Sequence, residues 1–365
     1  MDAKANPSVI LNILSLFLYL NIHICLGADT ISANLSLSGD QTLVSAGGKS
    51  VLGFFKPGNS SKYYIGTWFD YKDVSQQTIV WVANRERSVS DRFSSELRIS
   101  GGNLVLFNED RIPIWSTNVS SNYSSVQAVL LDDGNLILND GSNSSQPLWQ
   151  SFDHRSYMAT WHQLLTSWKS SEDPSPGLFS LELNANDSSY IILWNRSRQY
   201  WTSGSWDGQI FSLVPDMSKY FNNYNYVSNE NESYFTFSTF RTAFNTSLLV
   251  MDVSGKIQQL IWQPNNGWSS FWSQPIQQCE VYAFCGAYGS CNQNSLHFCS
   301  CLTGLQPKLR SNYSDGCFRQ TKLQCGSDRF LDMPSVTGCL TFSESIVLFW
   351  DSSTCLESKG RRGMP

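Results

Sequence analysis

Asp133, Gly134 and Asn135 set a carboxylate acceptor and an amide donor two residues apart. Held by rigid flanking strands, such a pair can converge on the hydroxyls of a sugar. The same tripeptide also makes a tight turn without any ligand. A second chemistry lies in the cysteines. Cys279, Cys285, Cys291, Cys299, Cys301 and Cys317 fall within 39 residues. So short a segment cannot build an apolar core, so covalent closure must replace it. Six cysteines allow many pairings, and spacing alone does not choose among them. A zinc reading would need Cys or His ligands at paired short spacings in a reducing compartment. No metal and no cofactor are expected.

Catalytic constellations fail. His154, His162 and His297 have no Gly-x-Ser-x-Gly partner nearby, so a hydrolase triad has no support. Gly47-Gly48-Lys49-Ser50 resembles the end of a phosphate loop, but the first glycine of that motif would fall on Leu43. The lysine, catalytic-loop and metal-aspartate motifs of a protein kinase are absent. A formal net charge of -5, with Arg361-Arg362 as the longest basic run, disfavours nucleic acid as a partner. The chain is therefore expected not to be an enzyme, with no catalytic residue.

The compartment is legible. Residues 1–27 read as a signal peptide: Lys4, an apolar run from Val9 to Leu26, and small residues before a cut at Ala28. Ten Asn-x-Ser/Thr sequons follow, at Asn34, Asn59, Asn118, Asn122, Asn143, Asn186, Asn195, Asn231, Asn245 and Asn312. Chance would supply roughly five. Beyond Cys25, every cysteine lies between Cys279 and Cys355. A local disulfide scaffold attached to a cysteine-free region fits the oxidising route. The expected location is secreted or extracellular, with possible cell-surface association and no membrane span in the mature chain.

The elements that must position these groups are short strands. Lys49–Phe55, Tyr63–Phe69, Thr78–Ala83, Asn103–Phe107 and Asn135–Leu138 are separated by turns such as Gly101-Gly102 and Asp133-Gly134. Tyr190–Trp194, Tyr234–Phe240, Ser247–Val253 and Lys256–Trp262 continue the pattern, the last two joined at Ser254-Gly255. No helical period is long enough for a helix past the leader, so the fold class is all-β. There is also a repeat. Gly102-Asn103-Leu104-Val105-Leu106 precedes Ile114-Trp115, and Gly134-Asn135-Leu136-Ile137-Leu138 precedes Leu148-Trp149. Thr78–Ala83, with Trp81, is a degenerate third copy. Three sheets around a shared aromatic core would turn Trp81, Trp115 and Trp149 inward.

Gly53-Phe54-Phe55, Tyr64-Ile65-Gly66-Thr67-Trp68, Val80-Trp81-Val82-Ala83-Asn84-Arg85 and Leu148-Trp149-Gln150-Ser151-Phe152-Asp153 resemble the bulb-type lectin domain of plant S-domain receptor-like kinases and S-locus glycoproteins. Leu165-Thr166-Ser167-Trp168-Lys169, Gly177-Leu178-Phe179-Ser180, Tyr200-Trp201-Thr202-Ser203-Gly204 and Val250-Met251-Asp252 resemble that family's S-locus glycoprotein domain. The resemblance implies a β-prism II lectin domain at 28–150 and a second lectin-like domain at 151–278. It implies an EGF-like module at 279–317, paired 279–291, 285–299 and 301–317, and an incomplete or altered PAN-like tail at 318–365. It implies a receptor ectodomain, truncated before the transmembrane and kinase parts. The implied role is ligand perception, with recognition of pollen as the family's best-known case. Partners would be an extracellular peptide, a glycan or a receptor ectodomain, with homo- or heterodimers possible. The family's mannose motif maps onto Leu131, Asp133, Asn135, Ile137 and Asn139, where only Asp133 and Asn135 match. Its second copy maps onto Ile99, Gly101, Asn103, Val105 and Phe107. Alternative readings are a mannose-binding lectin acting through Asp133 and Asn135, and a truncated relative without function. Cys325, Cys339 and Cys355 are an odd remainder without an assigned pairing.

Overall fold

The computed structural model describes residues 29–70, 77–120, 125–141, 146–153, 165–184, 186–219, 221–228, 233–239, 247–263, 266–302, 304–309 and 312–319. The expected leader, residues 320–365 of the PAN-like tail with Cys325, Cys339 and Cys355, and Asn122, Asn143, Asn231, Asn245, His154 and His162 lie outside the described residues. The described residues form strands, turns and three short 3-10 turns, with no α-helix among them. No helix among them is long and apolar enough to cross a membrane. The chain divides into two compact units: Met1–Gln163 with Trp168–Pro176, and Leu164–Ser167 with Gly177–Pro365.

The first unit begins with two short strands, β1 (Thr30–Ile31) and β2 (Ser36–Leu37). A first sheet then runs consecutively through β3 (Thr42–Val44), β4 (Ser50–Phe55), β5 (Tyr64–Phe69) and β6 (Thr78–Val82). Next come β7 (Glu96–Ser100), β8 (Asn103–Phe107) and β9 (Pro113–Ser116), which take β2 at their edge to complete a second sheet. Finally β10 (Gln127–Leu130), β11 (Leu136–Asn139) and β12 (Trp149–Gln150) take β1 to complete a third. All paired neighbours are antiparallel. The β7–β8 turn shows why its sequence is Gly101-Gly102. Both residues have positive φ, 57° and 74°, as a two-residue hairpin turn of this hand requires.

Alternation along each strand sends one face inward. Leu52 and Ile65 from the first sheet meet Leu97, Leu104 and Leu106 from the second and Leu130, Leu136 and Leu138 from the third. At the centre the three expected tryptophans meet. Trp81, Trp115 and Trp149 lie edge to face, with ring centroids 5.6, 5.8 and 5.8 Å apart and interplanar angles of 70°, 70° and 73°. Edge-to-face geometry suits the ring quadrupole better than a face-to-face stack. Each indole stands opposite an equivalent partner across its hairpin: Thr67, Leu106 and Leu138. The sequence repeat is thus a threefold structural repeat, and the unit is a β-prism of three sheets.

The Gly47-Gly48-Lys49-Ser50 segment is the β3–β4 turn, and its anion is internal. Gly47 N–H donates to Asp132 Oδ1 at 2.8 Å, and Ser50 Oγ donates to the Asp132 carbonyl at 3.0 Å. A Cβ on Gly47 would stand 2.1 Å from Asp132 Oδ2, so any larger residue there must displace the carboxylate. The Ser45 hydroxyl, the Gly47 amide and the Lys49 charge hold the Asp132 carboxyl below the usual carboxylate range. This contact ties the first sheet to the β10–β11 turn of the third.

β13 (Leu165–Ser170), β14 (Asp173–Asn184), β15 (Ser189–Trp194) and β16 (Arg198–Thr202) form one sheet, whose Trp168–Pro176 stretch belongs to the first unit and whose remainder belongs to the second. β17 (Phe221–Ser228) pairs with β18 (Ser233–Thr239), and β19 (Ser247–Met251), β20 (Ile257–Gln263) and β21 (Gly267–Gln274) form another sheet. Tyr190, Phe211 and Phe235 pack with Trp206, the ring centroids lying 4.8 to 5.6 Å apart. β22 (Gly289–Cys291), β23 (Cys299–Cys301), β24 (Leu305–Leu309) and β25 (Asn312–Arg319) make two small ribbons. Disulfides join Cys279 to Cys291, Cys285 to Cys299 and Cys301 to Cys317, the pairs implied by the resemblance. The Cys285, Cys291 and Cys299 sulfurs cluster because they sit in these bonds, so they offer no thiolate to zinc. Tyr282 anchors the module, its ring 5.1 Å from that of Trp194 and 4.8 Å from the Arg198 guanidinium carbon.

Two outcomes test this packing. Thr67 is fully buried where the other repeats hold leucine, and its hydroxyl has no hydrogen-bond partner. Thr67→Val keeps the shape and removes the desolvated hydroxyl, so denaturant melting should show a gain of about 1 kcal/mol. For Asp132, the depressed folded pKa gives a contribution present above its unfolded pKa of about 3.9 and lost as pH falls through the folded value. The stability gap between the native chain and Asp132→Asn should therefore be constant near neutrality and close as pH drops below about 4.

Candidate functional site

The three sheets present three outward faces, built on equivalent positions but lined by different chemistry. On the third sheet the outward residues are Val129, Ile137, Asn139 and Gln150, paired Val129 with Ile137 and Ile137 with Gln150. The β10–β11 turn places Asp133 at their end. Asp133 is exposed, and its Oδ1 accepts the Asn135 N–H at 3.0 Å. The structure therefore brings the two expected site residues together, but Asn135 is only 7% exposed. Its Oδ1 accepts from Ser151 Oγ at 2.9 Å and from the Phe152 amide at 3.2 Å. Its Nδ2 donates to Gln150 Oε1 at 2.9 Å. The Ser151 hydroxyl in turn accepts the Leu136 N–H at 2.9 Å. These bonds close the corner between β11 and the chain leaving β12.

The same corner recurs. Asn103 Oδ1 accepts from Thr117 Oγ1 at 2.9 Å and from the Val119 amide at 2.6 Å, while Thr117 Oγ1 accepts the Leu104 N–H at 3.2 Å. In the second unit the Tyr190 N–H donates to Ser203 Oγ at 2.9 Å, and Asp187 Oδ1 accepts the Ser189 amide as Asp133 accepts that of Asn135. In each case the hydroxyl stands two residues after a tryptophan: Trp115 and Thr117, Trp149 and Ser151, Trp201 and Ser203. In the first sheet that position is Ala83, which has no hydroxyl. Asn84, one residue on, substitutes by accepting the Ile65 N–H at 2.8 Å and donating to the Arg87 carbonyl at 2.7 Å. The Trp-x-Ser/Thr spacing was the sequence signal for these corners.

The first sheet's outward face is filled from within the unit. Val51, Phe55, Tyr64, Trp68 and Val82 form a cluster against which Trp168 packs. The Trp168 and Phe55 rings lie 6.4 Å apart at 26°. Arg85, 6% exposed, donates Nε–H to the Pro174 carbonyl at 2.6 Å, and the Asn59 amide reaches Glu172 Oε1 at 3.4 Å. Burial, with Asp173 nearby, raises the Tyr64 phenol above its ordinary range. On the second sheet the outward face is charged, with Glu96, Arg98 and Arg111 beside Phe107.

The described sequon residues Asn34, Asn59, Asn118, Asn186 and Asn195 are all exposed. Asn118 and Asn195 adopt left-handed backbone, φ 53° and 48°. Asn312 lies on β25, and its side chain lies outside the described set.

Two family profiles match: D-mannose binding lectin over residues 78–180 and S-locus glycoprotein domain over residues 201–309. A G-type lectin S-receptor-like serine/threonine-protein kinase of Arabidopsis thaliana is 47% identical over 88% of this chain and 42% of its own length. An S-locus-specific glycoprotein of Brassica oleracea is 36% identical over 83% of this chain and 74% of its own. A monomeric monocot mannose-binding lectin of Gastrodia elata is 16% identical, with a TM-score of 0.26 over 34% of this chain and 95% of that one. The chain thus spans about two-fifths of the length of the first kinase relatives it matches. With both profiles matched in order, and with an S-locus-specific glycoprotein aligned along most of both chains, this protein belongs to the S-locus glycoprotein and G-type lectin S-receptor family.

Proposed function

We propose that this chain is a secreted or cell-surface recognition protein, an ectodomain-like member of its family that perceives a ligand without catalysing a reaction. The carrying observation is the pairing of a sealed lectin prism with a three-disulfide module. The prism's inward faces make a core, so ligand contact falls to the outward faces and turns, which rigid corners hold in place. Exposed sequons fit a glycosylated surface, and closed disulfides fit an oxidising compartment. The ligand class is an extracellular peptide, a glycan or a receptor ectodomain, and pollen recognition is one narrower form of that role. Expression through a secretory host followed by disulfide and glycan mass spectrometry is the test. Secreted product with three closed bridges between Cys279 and Cys317 and occupied sequons is expected; an intracellular, unglycosylated product with free thiols overturns the reading.

A second reading, mannose binding through Asp133 and Asn135, is favoured by the D-mannose binding lectin profile over this region. The two residues make different predictions. Asn135 carries three internal hydrogen bonds, so Asn135→Ala should cost about 2–3 kcal/mol in a denaturant melt. Asp133 is exposed and bonds only the turn, so Asp133→Ala should leave stability within about 1 kcal/mol. Retention of the native chain on a mannan column, abolished by Asp133→Ala, would establish the mannose reading; retention indifferent to that change would reject it.

A further inference from the structure

The outward face of the second sheet differs from its relatives in one respect: it concentrates guanidinium groups. Through the shared tryptophan register, Glu96, Arg98, Val105, Phe107 and Ser116 occupy the places of Gln127, Val129, Ile137, Asn139 and Gln150 on the third sheet. Arg98 lies over the Phe107 ring, its guanidinium carbon 4.5 Å from the centroid. Its Nε is 3.5 Å from Glu96 Oε2. Arg111 Nη1 lies 2.6 Å from that same oxygen. Two cations therefore share one carboxylate, and the trio keeps a net positive charge.

The arginines are also placed in advance. The β8–β9 turn is fixed by Asn108, whose Oδ1 accepts from the Asp110 and Ile112 amides at 3.1 and 2.8 Å. The Arg111 amide returns to the Asn108 carbonyl at 3.0 Å, with Arg111 at φ 62°. The neighbouring carboxylate Glu109 is turned away onto the Ser90 and Ser95 hydroxyls. The Arg98 and Arg111 side chains keep 43% and 68% exposure, so water or a ligand reaches them. The exposed sequons Asn34 and Asn118 sit at the opposite, Gly101-Gly102 end of this sheet, which keeps glycan stems at these two residues away from the arginine end.

We propose that this face binds a carboxylated saccharide of the uronate class. Paired guanidiniums match a carboxylate bidentately. Beside them the partly exposed Phe107 ring, one face under Arg98, leaves apolar surface for a sugar ring's C–H groups, and the exposed Ser116 offers a hydroxyl. The inference rests on the extracellular recognition reading. It deepens that reading by naming a ligand class and a face distinct from the Asp133 turn.

The test uses the full secreted chain titrated with trigalacturonate at low ionic strength. Fully methyl-esterified trigalacturonate and mannotriose serve as uncharged comparators. Binding of the acid form alone is expected, weakening as salt screens the charges. Arg111→Gln and Arg98→Gln should each weaken it roughly tenfold, and Glu96→Gln, which removes the internal competitor, should strengthen it. Arg111 is exposed on a turn, so its variant reports binding with folding intact, as an unchanged melting temperature would verify. Failure of a glycosylated, disulfide-closed product to bind trigalacturonate overturns this inference and leaves the recognition reading standing. Equal binding of the ester overturns it too, as does indifference to both arginine changes. Arginine-dependent capture of polyglutamate without uronate binding overturns it in favour of an acidic peptide. A reduced, intracellular product overturns the recognition reading first.

Discussion

Three indoles meeting edge to face on one axis set the terms for the lectin unit. Trp81, Trp115 and Trp149 each come from the last strand of their four-stranded sheet, and each contacts the other two. A single four-stranded sheet of this length cannot bury its own apolar face, but three copies around a shared axis can. That constraint explains the topology. The second and third sheets lack a fourth strand of their own in sequence and borrow β2 and β1 from the N-terminal segment. It also explains why the inner positions vary so little while the outer ones diverge.

Divergence on the outer faces is where function has room. One face is apolar and filled by Trp168, one is lined by amides and short aliphatics, and one is charged. Residues that read as ligand chemistry in the sequence have been drawn into the frame. Asn135 and Asn103 both spend their carbonyl oxygens on a hydroxyl and a backbone amide. The glycine-rich turn that resembles a phosphate loop holds the protein's own Asp132 carboxylate. A buried amide group left unpaired would cost more than the bond it makes, so these positions stay fixed while the residues around them differ between the repeats.

Much of this was legible in the sequence, for local reasons. Asn103–Phe107 is a short apolar run bounded by Gly101-Gly102 and Asn108, and it is a strand with those bounds. The repeated Gly-Asn-Leu followed by Trp placed the tryptophans inward, where the structure has them. What escaped depends on distant partners. β1 and β2 are two residues each and become strands only because Gln127–Leu130 and Glu96–Ser100 offer them an edge. β14 begins at Asp173 and holds Pro174 and Pro176, residues that argue against a strand until Arg85 is seen on the Pro174 carbonyl. Trp168 reads as part of the second domain by position, yet its ring belongs to the first unit's outer cluster. Asp132 carried no motif at all, because its partner Gly47 lies 85 residues away. The corner hydroxyls were visible as Trp-x-Ser/Thr, but their role needs the paired strand to supply the donor.

The central claim is that these corners, alike in geometry across both units, are structural locks, which leaves recognition to the outward faces of the second and third sheets. Amide hydrogen exchange on the secreted protein reads it directly. The Leu104, Leu136 and Tyr190 amides, each donating to a buried hydroxyl, should exchange only through unfolding of their unit. Exchange of these three at the rate of the exposed turn amides around Gly101 would contradict the account.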